Sequence, residues 1–271
     1  MAAASFDAFQ RRPVTAFVGG AGIGTLGGLI GLGGAEFRLP FLIGMFRFGA
    51  LEAVIINKAI SLVVVVSALP FRMGTIPAST IADHWPVIAN LLGGSLFGAW
   101  FGASWATRLR SDTLYRVIAV LLIGMAVILL VGDGAESVGH ALFTGWQQIV
   151  AGLVAGFAIG VVASLLGVAG GELLIPTLIL LFGCDVKLAG SLSLAVSLPT
   201  MLVGFTRYSR DRSFAVLAAN GRFVAAMAVG SVVGSFVGAR LLGIVPGSVL
   251  LPILAVILLI SSVKLWLHRR T

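Results

Sequence analysis

The chain contains itself twice. Sliding it by 136 residues lays positions 29–62 over 165–198 without a gap, and 12 of those 34 positions are identical. Gly31 falls on Gly167, Gly34 on Gly170, Glu36 on Glu172, Pro40 on Pro176, Phe46 on Phe182 and Ser61 on Ser197. The same offset puts Gly94, Ser95, Gly98, Gly102 and Ala103 on Gly230, Ser231, Gly234, Gly238 and Ala239. Whatever fold forms must be two similar halves. An internal repeat made of membrane-length segments points to a secondary transporter.

The membrane reading rests on composition. The chain is 59% hydrophobic and 10% charged, against roughly 25% charge in soluble domains. Stretches such as 114–131 and 249–267 are long enough for a helix to cross about 30 Å of hydrocarbon. Short connections leave one membrane domain, 1–271, with repeats at 14–131 and 146–267. The net charge of +8 comes mostly from residues at helix ends, among them Arg108, Arg110, Arg207, Arg210 and Arg212. That pattern is anchoring by the positive-inside rule, and no nucleic-acid partner is expected. The single cysteine, Cys184, excludes an intramolecular disulfide. Segment 14–32 follows Arg11 and Arg12 in the charge order of a signal peptide, yet its repeat partner, 150–168, lies mid-chain. It is a structural element.

Each half reads as a Gly-rich helix (14–31; 147–167), a glycine break (31–36; 167–172), a short apolar helix (37–47; 173–183) and three longer helices. These are 51–70, 80–107 and 113–131 in the first half, and 187–206, 214–242 and 247–267 in the second. If the Gly-rich helix and its short partner together return to their starting side, each half has an odd number of crossings and the halves are inverted. With the N- and C-termini cytoplasmic, the basic loops then lie inside and the acidic join, 132–145, outside. The expected fold is an all-α polytopic membrane protein of about eight to ten membrane segments, with re-entrant or discontinuous helices at the breaks. Glycines four apart (Gly20, Gly24, Gly28; Gly152, Gly156, Gly160) line one helix face for close packing in lipid. Gly22, Gly24 and Gly27 also spell GxGxxG, but no strand precedes them, so the dinucleotide reading is set aside.

Chemistry is expected at the repeated break, GLGGAEFRLP at 31–40 and GVAGGELLIP at 167–176. Glycines let the backbone leave helical geometry, and Gly33, Gly34, Gly170 and Gly171 are the candidates. Non-helical backbone at membrane depth must be buried in protein or line a wet cavity. The free amides at a following helix start favour an anion. Glu36 and Glu172 stand early in those helices. They either cap amides or titrate as coupling residues for a proton or sodium ion. The residues that differ between halves point more towards substrate. Arg38 faces Leu174, Lys58 faces Leu194 and Asn57 faces Ser193. A cation in an apolar segment is a functional hypothesis by default, the alternative being a structural pair. Ser61, Ser193 and Ser197 can donate to an oxyanion or bond back to their own helices. His84, His140 and His268 lack ligand spacing, so neither a metal nor another cofactor is expected. The tryptophans suit an interfacial belt.

With its paired breaks, GLGG (31–34) with Pro40 and GVAGG (167–171) with Pro176, the chain resembles the TauE/SafE family of sulfite exporters, also called the TSUP family, over about residues 14–267. The first copy departs with Ala35 where the second has Gly171, and the second with Ala169 where the first has Gly33. The resemblance implies transport of small sulfur-containing anions such as sulfite, thiosulfate, sulfoacetate or related organosulfonates, often as export. Expected partners are the anion, the lipid bilayer and a coupling ion, with a homodimer left open. The chain has no GxxxxGK[ST] loop, so energy would come from a gradient. A passive anion channel is the alternative within transport. An intramembrane enzyme would need a nucleophile–base pair or HExxH, and Asp83 beside His84 has neither companion.

Overall fold

A computed structural model describes residues 12–30, 34–73, 78–131 and 141–241, together with 256, 259 and 263. The expected segment 247–267, apart from those three residues, the chain before residue 12, Gly31, Gly33 and the side chain of Glu172 lie outside them. The described residues fold as helices without a strand, an all-α polytopic membrane protein. In order these are α1 (Pro13–Ile30), α2 (Ala35–Gly44), α3 (Ala50–Met73), α4 (Ala78–Asp83), α5 (Trp85–Ala106), α6 (Ser111–Val131), α7 (Trp146–Leu166), α8 (Gly171–Phe182), α9 (Val186–Tyr208), a 3-10 turn (Arg212–Phe214), α10 (Ala215–Ala219) and α11 (Gly221–Leu241). Among the described residues five stretches are long and apolar enough to cross a membrane: Ala50–Ala68, Trp85–Ala106, Trp146–Leu166, Leu188–Tyr208 and Gly221–Gly238. At about 1.5 Å per residue, α2 and α8 reach only about 15–18 Å and fall short of a crossing.

Two expected helices are each interrupted. The segment expected at 80–107 breaks at His84 (φ −97, ψ 18), and that at 214–242 breaks at Asn220 (φ −120, ψ 28). The two positions are 136 apart. Pro86 sits in the first turn of α5, where its missing N–H costs nothing but cannot continue α4. Asn220 turns its side-chain amide back onto the Val216 carbonyl at 3.0 Å, local bonding that competes with the helix.

The glycines bring backbones together. In α1, Gly20, Gly24 and Gly28 face the carbonyls of Met227, Ser231 and Ser235, so α1 and α11 run parallel. In α5, Gly94, Gly98 and Gly102 face those of Leu153, Phe157 and Val161, so α5 and α7 run parallel too. These contacts map onto each other under the repeat offset. Gly20–Met227 becomes Gly156–Leu91, Gly24–Ser231 becomes Gly160–Ser95, Gly94–Leu153 becomes Gly230–Phe17, and Gly98–Phe157 becomes Gly234–Ala21; all are present. Each copy's first helix therefore packs on the other copy's Gly-rich long helix. A Cβ at Gly98 would overlap the Phe157 carbonyl, while one at Gly22 meets nothing within 4 Å. Gly98→Ala is expected to destabilise by about 1–3 kcal/mol. Gly22→Ala should be neutral or stabilising by up to about 1 kcal/mol. Melting temperatures in detergent compare the two directly.

Side-chain bonds fix the remaining directions. Gln148 Nε2 donates to the Leu181 carbonyl at 2.6 Å, so α8 returns to the end where α7 begins. Phe41 lies against Gly19, and α2 returns likewise along α1. Ser95 pairs with Thr200 at 2.7 Å and Arg207 Nε donates to Ser104 at 2.7 Å, so α5 and α9 advance together. Tyr115, early in α6, bonds the Ala50 backbone, so α5 ends where α3 begins. α3 and α9, the same segment of the two copies, consequently run in opposite directions. The loops at the start of α3 and at the ends of α5 and α9 gather Arg47, Arg108, Arg110, Arg210 and Arg212 at one end of the molecule.

Candidate functional site

The site forms where the chain leaves helical geometry. α7 ends at Gly167, whose φ of 68 is the left-handed conformation that disfavours a side chain. Val168 N–H reaches back to Ala163 O at 3.0 Å and Gly167 N–H to Ser164 O at 3.2 Å, the double bond pattern of a glycine C-terminus. Gly170 (φ 82) then starts α8, of which Gly171 is the first helical residue. In the first copy Gly34 (φ 70) starts α2. The backbone bends at Gly34, Gly167 and Gly170, as the sequence led us to expect, and Gly171 is not itself a bend.

A helix end leaves carbonyls without intrahelical donors, and in an apolar setting each unmet acceptor costs about 1–3 kcal/mol. Side chains from two other helices meet those of α7. Asn57 Nδ2 donates to Leu166 O at 2.9 Å and Ser61 Oγ to Gly167 O at 3.3 Å. Lys58 Nζ donates to Ala163 O at 3.2 Å, and Tyr208 Oη to Ser164 O at 2.9 Å. α3 lies so close that a Cβ on Gly167 would overlap the Val54 carbonyl.

Asn57 joins the two breaks. The same Nδ2 that serves Leu166 O also donates to Ala35 O, at 2.9 Å, at the start of α2. Its Oδ1 accepts from Arg38 Nε at 2.8 Å. Arg38 is fully buried and also donates to Ser61 Oγ at 2.6 Å and Ser231 Oγ at 3.1 Å. Glu36, two residues before it on α2 and 1% exposed, acts on it electrostatically. Arg38 is therefore held by neutral oxygens with a carboxylate in range.

Lys58 is held more loosely. An ammonium has three donors, and Lys58, 0% exposed, makes the single bond to Ala163 O, without an ion pair to any described carboxylate. Beside it, Ser164 Oγ is buried with no hydrogen-bond partner. Gly204 of α9 lies between them. A Cβ there would stand 3.1 Å from Lys58 Nζ and 2.9 Å from Ser164 Oγ. The fully buried ionisable side chains among the described residues are Arg38 and Lys58 with Glu36.

Of the sequence candidates, the structure brings together Gly34, Glu36, Arg38, Asn57, Lys58 and Ser61 with the Gly167–Gly171 break. Ser193 bonds back to Gly190 O at 2.9 Å in its own helix. Ser197 Oγ is buried without a partner, and no hydrogen bond joins either serine to the Arg38 cluster. Ser61 of the first copy bonds Gly167 O, and the equivalent position for Ser197 is Gly31, outside the described residues. Sequence reasoning missed Ser231, Ser164, Gly204 and Tyr208. Only Ser231 had a signal, as the repeat partner of Ser95. No cluster of three or more His, Cys, Asp or Glu with metal-holding geometry occurs among the described residues.

A family model described as "Sulfite exporter TauE/SafE" matches residues 16–265. The chain belongs to this family. No curated protein and no solved structure matches it. Members of the sulfite exporter TauE/SafE family are membrane transporters, and the chain is a multi-pass membrane protein of that kind. The match spans both breaks and both glycine-paired helix couples, so the site described above is built from the family's own segments.

Proposed function

We infer that this TauE/SafE protein is a secondary transporter moving a small sulfur-containing oxyanion, such as sulfite, thiosulfate or sulfoacetate, across a bacterial inner membrane. The observation that carries the reading is the pair of buried cationic side chains, Arg38 and Lys58, where the two breaks meet, with Glu36 the buried carboxylate beside them among the described residues. A buried charge without a counter-charge is costly, and a bound anion would offset that cost. Oxygens of the anion would take the remaining donors of Lys58 and the Ser164 hydroxyl. Arg38, tied to Asn57, Ser61 and Ser231, would supply a fixed field. The halves would form inverted repeats about a pseudo-two-fold axis in the membrane plane, a reading supported by the exchanged glycine contacts and the opposed α3 and α9. Alternating access would then work by rocking each parallel helix couple about the breaks, with Asn57 as the shared hinge contact. Both termini would be cytoplasmic, since arginines gather at the end where α3 begins. Glu36 and Glu172 would cap their helices or carry the coupling proton.

The test is thermal stabilisation of the purified protein by sulfite, thiosulfate, sulfate, sulfoacetate, taurine and chloride, followed by flux in proteoliposomes. A ligand at 100 times its Kd stabilises by about 2.7 kcal/mol. A selective shift by one sulfur anion, with uphill uptake driven by a proton or sodium gradient, supports the reading. Flux that only equilibrates the anion would favour a passive channel. An unchanged melting temperature with every sulfur anion would count against a sulfur substrate.

A further inference from the structure

A second cationic centre lies away from the breaks, where α5 and α9 end together. Arg207 Cζ is 5.8 Å and Arg210 Cζ 5.2 Å from the centroid of the Trp100 ring. Two guanidiniums thus share one indole. Arg207 is further oriented by its Nε bond to Ser104 at 2.7 Å, which leaves its terminal nitrogens for another acceptor. No described carboxylate forms an ion pair with either arginine. Asp211, next in the chain, spends its Oδ1 on Ser213 N–H at 2.9 Å in capping the 3-10 turn. The indole face attracts both cations, and among the described residues no carboxylate offsets their like charge, so an anion at this end would be favoured.

The surface beside the pair says which anion. Trp100 is 40% exposed, and Phe101, its neighbour on α5, is 54% exposed. Phe101 contacts Trp105 at 6.4 Å and Phe157 of α7 at 6.0 Å between ring centroids. These rings extend an apolar shelf from the arginines along the outer face of α5 and α7. A cationic clamp at a helix end above an exposed aromatic shelf matches an amphiphile with a phosphate at the interface and acyl chains below it.

We propose that Trp100, Ser104, Arg207 and Arg210 form a binding site for the headgroup of one anionic phospholipid. Its phosphate would bridge the terminal nitrogens of Arg207 and Arg210, and its chains would lie on Phe101 and Phe157. By pinning the end of α5 to the end of α9, the lipid would brace the contact between the two copies that Ser95 and Thr200 make deeper in the bundle. The site is separate from the buried centre at the breaks, and its fate is independent of the transported anion.

Native mass spectrometry of the detergent-solubilised full chain tests this, with a phosphatidylglycerol, a phosphatidylcholine of the same chains, and inorganic phosphate as probes. One phosphatidylglycerol should be retained per chain in preference to phosphatidylcholine, and phosphate alone should leave that occupancy unchanged. Arg210→Gln, an exposed change that removes no hydrogen bond, should weaken retention about fivefold, and Arg207→Gln/Arg210→Gln about 30-fold. Arg116→Gln/Arg222→Gln makes the same charge change on α6 and α11 and should leave retention unaltered. Equal retention of both lipids, equal loss in the α6/α11 control, or displacement of the lipid by phosphate at matched concentration would each overturn the proposal. If the double variant does not fold, Arg210→Gln alone decides.

Discussion

Lys58→Met is expected to reduce anion flux by at least about 30-fold while the protein still folds. Methionine keeps the length of the side chain and removes the charge. Ala163 O retains its bond from Val168 N–H at 3.0 Å, so no carbonyl is orphaned. What disappears is the buried ammonium, which like the unbonded Ser164 Oγ lies beside Gly204. Loss of one charged partner from a buried pair costs about 2 kcal/mol or more, which corresponds to that factor. Paired measurements in proteoliposomes and by thermal melting separate binding from folding. Unaltered flux would remove Lys58 from the site and leave it as a cap on α7. Lys58→Arg is not expected to rescue transport. The longer planar guanidinium would press on the space that Gly204 keeps open.

Asn57→Leu should produce the largest loss of stability. The side chain makes three bonds, accepting from Arg38 and donating to both Ala35 O and Leu166 O. Leucine fills the volume and satisfies none of them. Leu166 O is left without its donor, and Ala35 O and the Arg38 guanidinium each lose one bond. At about 1–3 kcal/mol per unmet group, reduced by partial compensation within the bilayer, the expected cost is about 4 kcal/mol. For a chain of this size that is a fall of about 10 °C in melting temperature. Asn57→Asp separates the roles, since it keeps an acceptor for Arg38 but gives up both donations. If Asn57→Leu melts within 2–3 °C of the parent, about the experimental scatter, the two breaks are not held together through this residue.

Much of the molecule was legible before any coordinates. Helix type followed from apolar length, and the pairing of Gly-rich helices from spacing of four, because a glycine face permits backbone contact whatever its partner. The break positions were equally readable, since Gly34, Gly167 and Gly170 occupy backbone conformations that disfavour other residues. The interruptions at His84 and Asn220 were not. Apolar periodicity runs through both, and only local geometry, a proline within the first turn and an asparagine bonding back to its own helix, stops them.

The partner of each glycine face was a tertiary matter. Nothing in 13–30 states that its glycines meet 221–241 of the other copy and not 85–106 of its own, for both carry the same small residues. The contacts are exchanged, each copy's first helix lying on the other copy's Gly-rich long helix, and packing alone makes that choice. The role of the polar residues was decided the same way. Sequence alone determined that Arg38, Asn57 and Lys58 were costly to bury and so had to have partners. That Asn57 would bridge two breaks more than 100 residues apart, and that Tyr208 and Ser231 would complete the set, depended on packing. Helix and break are properties of the local chain, whereas a hydrogen bond between distant residues exists only once the fold has brought its two ends within reach.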